Sequence, residues 1–321
     1  SPATLKVTLP DKLSGFGNGL LAYYPFNGNA NDASGNGHHG SVSGATLTAD
    51  QNGTIAQAYQ FDGSDHIQLP SILTNFEKVT FSAWIKTNTK HTPNPGAVIA
   101  KPRTSGTNSP GVSLRIHGSP SNLAQMALHN GNAYISGQTG ASPTDDQWHH
   151  IAGTADGNMT RIYVDGVLAD EDAYNVVGAT STQTMSIGRD NGASGVGYHY
   201  FTGVIDNVRI YDRALSSEEL DKLKSLETPP LPIISHQPQD QHLAIGGNAT
   251  LHVTAYGATH YQWQKNGADI IDANSSTLSV NNAKSDDNGS YRVIVGNGAG
   301  SILSEPATVT TGYAPSIILH P

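Results

Sequence analysis

From Leu20 onward the chain consists of short runs in which apolar and polar residues alternate, and turn-forming residues separate one run from the next. Alternation of this kind places successive side chains on opposite faces of a strand. The run TFSAWIKT is typical, and one face of its strand carries Phe81, Ala83 and Ile85. The 35 glycines and 17 prolines among 321 residues favour turns over helices. The pattern predicts an all-β fold made of many short strands.

Two segments have a more specific signature. The run TRIYVDGVLAD predicts a hairpin, because the Asp-Gly pair at 165–166 suits a type I′ turn between two strands. The run SSEELDKLKSLE is the one convincing helix, since Ser216 and Glu219 form a capping box ahead of Leu220 and Leu223. We expect this helix to be short and to lie at the periphery.

A proline-rich segment, ETPPLP at 227–232, interrupts the strand pattern and predicts a semi-rigid spacer between two domains. It separates a first domain at 18–226 from a second at 233–311, and residues 1–17 are interpreted as the tail of an upstream region. The motif IISHQP at the start of the second domain returns 84 residues later as IILHP. We therefore expect residues 312–321 to begin a further, truncated copy of the second domain.

Composition excludes several classes of function. The formal net charge is −9, so the surface has no general attraction for nucleic acid or anionic membranes. No apolar run approaches the roughly 20 residues that a membrane-spanning helix needs. The absence of cysteine excludes disulfides, thiolate zinc sites and a cysteine nucleophile.

The first domain carries a series of sequence blocks in a characteristic order: GLLAYYPFNGNANDASGNGHHG, YQFDGSDHIQLP, FSAWIK, DQWHHIAGT, RIYVDGVL, MSIGR and FTGVIDNVRIYDRALSSEEL. Together they resemble the laminin-G-like, concanavalin A-like jelly-roll domains of bacterial proteins. The resemblance covers roughly residues 18–226. It implies two antiparallel sheets packed face to face, with the first and last strands adjacent.

The second domain resembles a bacterial immunoglobulin-like domain through Trp263, DDNGSY and NGAGS. Val253 and Val293 stand where the vertebrate pattern has cysteines, so apolar packing around Trp263 replaces a bridge worth about 2–4 kcal/mol. The spacing in SDDNGSYRVIV suits a tyrosine corner at Tyr291. The predicted fold is therefore a concanavalin A-like two-sheet jelly roll followed by an immunoglobulin-like β-sandwich.

No catalytic constellation is visible in the sequence. Glycosidases use two carboxylates across the scissile bond, and the retaining-glucanase pattern E-x-D-x-x-E is absent. We interpret the one dense acidic cluster, ADEDAY, as a solvated strand end, with an acid/base site as the alternative. No G-x-S-x-G motif marks a serine nucleophile. We predict that this fragment is not an enzyme, which leaves room for a separate glycoside hydrolase or lyase domain in the full-length protein.

The loop NANDASGNGHHG has the chemistry of a calcium site, because calcium prefers carboxylate and amide oxygens. It supplies Asp32 and the amides of Asn29 and Asn36, and Asp206 in the strand GVIDNVRIY is the candidate for a second carboxylate. The resemblance implies the same, since related domains often hold a structural calcium with an acid after the first strand and an acid in the last. The alternative is a turn network that satisfies its own hydrogen bonds.

Sugar ligands require aromatic faces and planar polar groups. The loop RDNGASGVGYHYFTG offers alternating aromatic side chains with a charged pair at its base, and two residues from other loops can add hydrogen bonds. The alternative is that each aromatic side chain only covers the edge of a sheet. The predicted ligand-binding residues are Arg189, Asp190, Tyr198, His199, Tyr200, Arg103 and His117.

These observations predict a non-catalytic carbohydrate-binding module, stabilised by calcium, with the immunoglobulin-like domain as a spacer. We expect it to belong to a larger secreted polysaccharide-degrading or surface protein, located outside the cell or on the bacterial surface. Its partners would be a polysaccharide or cell-surface glycan and neighbouring immunoglobulin-like repeats. The alternative is an adhesin or structural stalk. The net charge disfavours acidic glycans, with Arg103, Arg115 and Arg189 as a local exception.

Overall fold

The computed structural model describes residues 16–91, 94–103, 110–118, 122–130, 133–136, 142–174, 180–191, 199–228 and 230–312. The chain divides into two compact units, residues 1–227 and 228–321. Each unit has a hydrophobic core of its own.

The first unit consists of short strands and one helix. The elements are β1 Leu20–Tyr24, β2 Ser41–Ser43, β3 Thr46–Thr48, β4 Ala58–Asp62, β5 His66–Leu69, β6 Lys78–Lys86, β7 Gly96–Lys101, β8 Pro110–His117, β9 Leu123–Asn130, β10 Ala133–Ser136, β11 Trp148–Asp156, β12 Met159–Val164, β13 Val167–Ala173, β14 Met185–Ile187, β15 Arg189–Asp190, β16 His199–Tyr200, β17 Thr202–Tyr211 and α1 Ser217–Glu227.

Most of these strands form two antiparallel sheets. The described strands of the first sheet lie in the order β13-β12-β11-β6-β17-β4-β3, and β1 also pairs with β17; those of the second lie in the order β10-β9-β8-β7-β14-β5-β2. The first strand is therefore adjacent to the last strand of the sheet, with Tyr24 opposite Val208, as the resemblance implies. Alternation along β6 places Phe81, Ala83 and Ile85 in the core between the sheets.

The predicted hairpin is confirmed at β12 and β13. Asp165 and Gly166 connect the strands with φ angles of 53° and 82°. A type I′ turn requires positive φ at both central residues, which aspartate and glycine tolerate.

The predicted helix and its cap are also confirmed. Ser216 Oγ accepts a hydrogen bond from the amide of Glu219 at 3.2 Å, and the Glu219 carboxylate accepts one from the amide of Ser216 at 2.8 Å. Leu220 and Leu223 bury their side chains in a cluster that includes Tyr211 of β17. The helix therefore covers part of the outer face of the first sheet.

The end of α1 closes the same face with a buried ion pair. Glu227, the first residue of the predicted spacer, is the last residue of the helix, and its carboxylate pairs with the guanidinium of Arg209. The Trp84 indole N–H donates to the same carboxylate at 2.7 Å. His150 packs beside Trp84, and its Nε2 lies 2.8 Å from Ser82 Oγ.

The second unit contains β18 Ile233–His236, β19 Gln241–Ala244, β20 Ala249–His252, β21 Thr254–Tyr256, β22 His260–Lys265, β23 Ala268–Asp269, β24 Thr277–Val280, a 3₁₀ turn at Ser285–Asp287, β25 Gly289–Asn297, β26 Gly300–Leu303 and β27 Ala307–Gly312. Its main sheet has the order β19-β27-β25-β22-β23, with β26 on β25; β20 pairs with β24 and β18 with β21.

The core of the second unit forms around Trp263, which is fully buried and contacts a cluster that contains Val253 and Val293. Apolar packing thus occupies the positions where the related pattern has cysteines. The Tyr291 hydroxyl donates to the carbonyl of Asp287 at 2.9 Å, which is the predicted tyrosine corner.

We expect Tyr291→Phe to lower the free energy of unfolding of the second unit by about 1–2 kcal/mol, because it removes this one buried hydrogen bond and keeps the ring. Urea denaturation of the whole chain measures the change. Tyr256→Phe is the matched control, since Tyr256 is 69% exposed. Equal stability of the two variants would contradict a stabilising role for the corner.

The adjacent histidines of β11 make opposite contributions to acid stability. Burial, with a further effect of Arg209, lowers the pKa of His150 to about 3, so the folded state keeps His150 neutral. The unfolded chain gains a proton near pH 6.5, so stability is lost as the pH falls below that value. Hydrogen bonds to Asp165 and Asp145 raise the pKa of His149, so its contribution is present at low pH and lost as the pH rises.

We therefore expect the melting temperature to fall less between pH 7.5 and pH 5 in His150→Gln than in the wild type. His149→Gln should show the larger fall, because it loses a stabilising charge at acidic pH. Differential scanning calorimetry of the three proteins provides the comparison. Parallel pH profiles would show that neither histidine titrates differently in the folded and unfolded states.

Candidate functional site

The outer face of the second sheet carries a group of polar residues, which we call the polar face; it is formed by the outward side chains of β7, β8 and β9. Along β8, Val112, Leu114 and Ile116 face the core, so the alternate residues Ser113 and Arg115 lie on the opposite side. The strand register extends this polar side across β9.

The middle of the polar face is a floor of small side chains. Ala127, Ser113, Ala100 and Ser186 lie opposite one another on β9, β8, β7 and β14, and Gln68 of β5 follows in the same row. The four small residues are buried. Because none of the four projects far from the sheet, the row is lower than the larger side chains beside it, and we call this row of five residues the trough.

Arg115 stands beside this floor and is only 7% exposed. Gln125 lies opposite it on β9, and Arg115 Nε donates to Gln125 Oε1 at 3.4 Å. Burial lowers the pKa of Arg115, and the charge of Asp190 partly offsets this effect. A buried guanidinium is therefore directed into the polar face.

Arg103 follows β7 and packs against the backbone of β8 at Gly111. A Cβ atom at Gly111 would lie 2.7 Å from Arg103 Cγ, so the close approach requires glycine at this position. Arg103 Nε is buried and has no hydrogen-bond partner among the described residues.

His129 lies opposite Gly111 in the register of β8 and β9. Burial lowers its pKa to about 4, and the charges of Arg103 and Arg115 contribute further. Its Nδ1 is buried and also lacks a partner within the described part of the chain. Two guanidinium groups, those of Arg103 and Arg115, therefore accompany a neutral imidazole, and Arg103 Nε and His129 Nδ1 have no described partners.

The ribbon of β15 and β16 brings predicted ligand-binding residues to this face. Arg189 pairs with Tyr200, and Asp190 pairs with His199. The ribbon begins next to β7, because the amide of Gly188 donates to the carbonyl of Val98 at 3.0 Å. Arg189 Nη2 donates to Gln68 Oε1 at 3.0 Å.

The side chains of the ribbon interact electrostatically with β8. Burial lowers the pKa of His199, Asp190 acts to raise it, and Arg115 acts to lower it. Asp190 also lies opposite His199 in the register of the ribbon. Tyr198, predicted as a third ligand-binding aromatic residue, lies outside the described residues.

His117 is the last residue of β8 and shares the outward side with Arg115. It lies at the opposite end of the strand from Gly111, where Arg103 packs. The trough itself runs across the strands, from Ala127 of β9 to Gln68 of β5, and at about 4.8 Å between neighbouring strands it extends roughly 20 Å.

The sequence analysis did not identify Gln125 and His129 as site residues. In LAQMALHN, they alternate with residues that face the core. This alternation in the sequence could have indicated that both side chains lie on the outer face of the strand. The position of these residues opposite Arg115 and Gly111 depends on the strand register, which sequence alone does not reveal.

The loop that predicted a calcium site is closed by its own hydrogen bonds. The carboxylate of Asp32 accepts bonds from the amides of Tyr23, Ser34 and His38 and from the Ser34 hydroxyl, at 2.8 to 3.0 Å. Burial acts to raise the pKa of Asp32, but these hydrogen bonds outweigh it and lower the pKa. These hydrogen bonds fit a self-satisfied turn, and calcium at this loop stays a prediction.

The two predicted amide ligands have similar local partners. Asn29 Oδ1 accepts a hydrogen bond from the amide of Asn31 at 2.8 Å. Asn36 Nδ2 donates to the carbonyls of Leu20 and Leu21, both at 3.0 Å. Both arrangements fit the turn network given above as the alternative to calcium.

Asp206, the other predicted calcium ligand, has a different environment. It is 1% exposed, Asn207 Nδ2 donates to its Oδ2 at 2.9 Å, and its Oδ1 has no partner among the described residues. Burial raises its pKa to about 8, and the charge of Asp50 contributes. The turn after Asp50 contains two more buried oxygens without described partners, Gln51 Oε1 and Asn52 Oδ1.

Carboxylate and amide oxygens that are buried without a partner have the chemistry that a hard cation such as calcium prefers. Among the described residues, Asp32 and Asp206 have separate hydrogen-bond partners. Within the described residues there is no group of three or more His, Cys, Asp and Glu side chains arranged to hold a metal ion.

Residues 61–221 match the family model of the concanavalin A-like lectin/glucanases superfamily. This segment covers half of the 321 residues, and the chain therefore belongs to that superfamily. Residues 232–297 match the model of the immunoglobulin domain. The resemblance inferred from the sequence and the all-β fold class are both confirmed.

Endoglucanase C of Cellulomonas fimi is 32% identical over 100 residues, a segment that spans 29% of this chain and only 9% of that protein. Domain 4 of AbnA, a GH43 extracellular arabinanase from Geobacillus stearothermophilus solved with arabinotriose, is 24% identical with a TM-score of 0.53, covering 64% of this chain and 98% of that one. The binding domain of botulinum neurotoxin serotype D/C is 12% identical with a TM-score of 0.51, covering 88% and 73%. These structures share the fold.

No helix within the described residues combines the length and the hydropathy needed to cross a membrane.

Proposed function

We propose that the first unit is a non-catalytic polysaccharide-binding module and that the polar face is its binding site. The observation that carries this proposal is the buried guanidinium of Arg115 beside a floor of small residues, with unpartnered nitrogens on Arg103 and His129. A buried polar group without a partner costs about 1–3 kcal/mol. A ligand with many oxygen acceptors offsets this cost.

The shape and chemistry of the trough suit a saccharide chain. Its length of roughly 20 Å accommodates several sugar units, Tyr200 contributes an aromatic ring, and Asp190 and Gln125 contribute acceptors for hydroxyl groups. The arabinanase domain solved with arabinotriose supports the proposal in one respect, because a domain of this fold accommodates a saccharide. The low identity gives no reason to expect the same sugar.

The polar face has few acidic residues, and this scarcity favours a binding role over hydrolysis. Strands β7, β8 and β9 carry no Asp or Glu, and Asp190 comes from the ribbon. A glycosidase needs a second carboxylate about 5–10 Å from the first. We therefore propose a binding role, with any hydrolase or lyase activity located in another part of a longer protein.

We further propose that the module acts outside the cell and that the immunoglobulin-like unit is a spacer within a multimodular array. The absence of cysteine is compatible with such a role, because Trp263 and its apolar neighbours stabilise the second unit without a disulfide. The similarity to an endoglucanase segment and to an extracellular arabinanase domain supports this setting.

Affinity electrophoresis against plant and algal polysaccharides, with and without chelator, tests the binding proposal. We expect retardation by at least one glycan, and a loss of affinity of roughly 10-fold or more in Arg115→Ala, because a charge-assisted hydrogen bond contributes about 1.5–3 kcal/mol. Arg161→Ala is the matched control, since Arg161 forms surface ion pairs with Asp156 and Glu171 on the other sheet. No retardation by any glycan would favour the alternative role as a stalk or adhesin.

We also propose that a calcium ion stabilises the first unit and that Asp206 is its principal ligand, with oxygens of the Asp50–Asn52 turn as neighbours. The unpartnered Asp206 Oδ1 supports this choice over the Asp32 loop, whose carboxylate is already satisfied. A bound cation would neutralise the carboxylate and remove the cost of burying its charge.

At pH 7.5 calcium should raise the melting temperature of the chelator-treated protein by roughly 5 °C or more, and Asp206→Asn should abolish this increase. Without calcium, wild-type stability should fall as the pH rises toward the pKa of about 8, since the folded state favours the protonated carboxyl. Differential scanning fluorimetry measures both effects.

Asp32→Asn is the discriminating control for this experiment. It should lower the melting temperature by disrupting the loop but leave the calcium-dependent increase intact. If Asp32→Asn abolishes the increase and Asp206→Asn does not, the site lies in the loop at 29–40. An unchanged wild-type melt would contradict bound calcium altogether.

A further inference from the structure

The polar face differs in charge from the rest of the molecule. The chain as a whole has a net charge of −9. On the polar face, Arg103, Arg115 and Arg189 are accompanied by a single described carboxylate, that of Asp190. The local excess is therefore positive, and it is concentrated where the floor of the trough is buried.

Arginines elsewhere in the first unit have carboxylate partners. Arg161 pairs with Asp156 at 2.8 Å, Arg213 pairs with Glu219 at 2.7 Å, and Arg209 pairs with Glu227. Arg103 and Arg115 form no such ion pair with described residues.

The nearest described acceptor for Arg115 is a neutral amide. Its Nε donates to Gln125 Oε1 at 3.4 Å, which is a long hydrogen bond. Asp190 acts on Arg115 as a charge. Burying a charge without a paired counter-charge is costly, so the arrangement favours a ligand that supplies the counter-charge.

The two residues with unpartnered nitrogens, Arg103 and His129, both lie at Gly111, on one side of Arg115 along β8. Arg103 packs over Gly111, and His129 lies opposite Gly111, two residues along β8 from Ser113. Asp190 and His199 approach from the ribbon, on the side of β7. The region between Arg103, His129 and Arg115 is therefore the cationic end of the trough, away from the described carboxylate.

We propose that this cationic end binds an acidic group of the glycan, a carboxylate or a sulfate ester, between Arg103, Arg115 and His129. The proposal rests on the proposed function and specifies its substrate class: an acidic polysaccharide, of the uronate or sulfated type. Guanidinium groups bind both anions through parallel N–H···O bonds. Asp190 and the ribbon then contact neighbouring neutral sugar hydroxyls.

An acidic ligand is the opposite of what the net charge predicts, because a net charge of −9 disfavours acidic glycans. A net charge governs long-range attraction, and it is screened beyond about 10 Å at 0.1 M salt. Recognition depends on the groups within the trough. A protein with an overall negative charge has no general attraction for a polyanion, so a preference for one must arise locally.

Matched polysaccharide pairs test the proposal. The carboxylate arm compares polygalacturonate with its fully methyl-esterified form, and the sulfate arm compares a sulfated galactan with the same galactan after desulfation. Affinity electrophoresis at 0.1 M salt, together with calorimetry on soluble oligomers, measures binding of the whole chain. We expect the affinity for the acidic member of at least one pair to be about 10-fold or more above the affinity for its neutral counterpart.

Two variants locate the preference. Arg115→Gln and Arg103→Gln should each reduce the ratio of acidic to neutral binding by about 10-fold while leaving the melting temperature of the second unit unchanged. Arg161→Gln removes the same charge from the other sheet and should leave the ratio as in the wild type. If Arg161→Gln lowers the ratio as much as Arg115→Gln, the preference is unspecific and the proposal is wrong.

The outcomes separate this inference from the proposed function. Binding to neutral glycans such as arabinan or xylan, with no preference within either pair, would overturn the acidic ligand and leave the polysaccharide-binding role in place. No binding to any neutral or acidic polysaccharide would overturn both. A preference in the carboxylate arm alone would identify the anion as a carboxylate, and a preference in the sulfate arm alone would identify it as a sulfate ester.

Discussion

The pairing of β17 within the first sheet is the interaction on which the rest of the first unit depends. One edge of β17 bonds to β6, and the other bonds first to β4 and then to β1. This single strand joins the beginning of the chain to the centre of the sheet. It also fixes Asp206 and Arg209, which stand on either side of an irregularity in its pairing with β6.

The outer faces of the two sheets of the jelly roll differ in chemistry. On the first sheet, α1 and the pair of Arg209 with Glu227 cover the face. On the second sheet, strands β7, β8 and β9 present small residues at the floor and cations beside it. The inner faces form the core, so we propose that a ligand binds on this second outer face, where the buried guanidinium of Arg115 has no described counter-charge in an ion pair.

Local patterns predicted the fold well and the site incompletely. Asp165-Gly166, the box of Ser216 and Glu219, and the Tyr291 corner each depend on residues a few positions apart, and each is present. The polar face depends on residues such as Arg115, Gln125 and His129, which only the register across two strands brings together. Calcium at Asp32 remains a prediction; the structure adds that backbone N–H groups, whose positions the composition of the loop does not reveal, donate to this carboxylate.

The most direct test of the account is to map a ligand onto the protein by amide chemical shifts. The ¹⁵N-labelled chain would be titrated with a trigalacturonate or a sulfated galactan trimer, and with arabinotriose for comparison. We expect the largest shifts in β8, β9 and the β15–β16 ribbon, centred on Arg115 and His129. Shifts confined to α1, the loop at 29–40 or the second unit would contradict the polar face as the binding site.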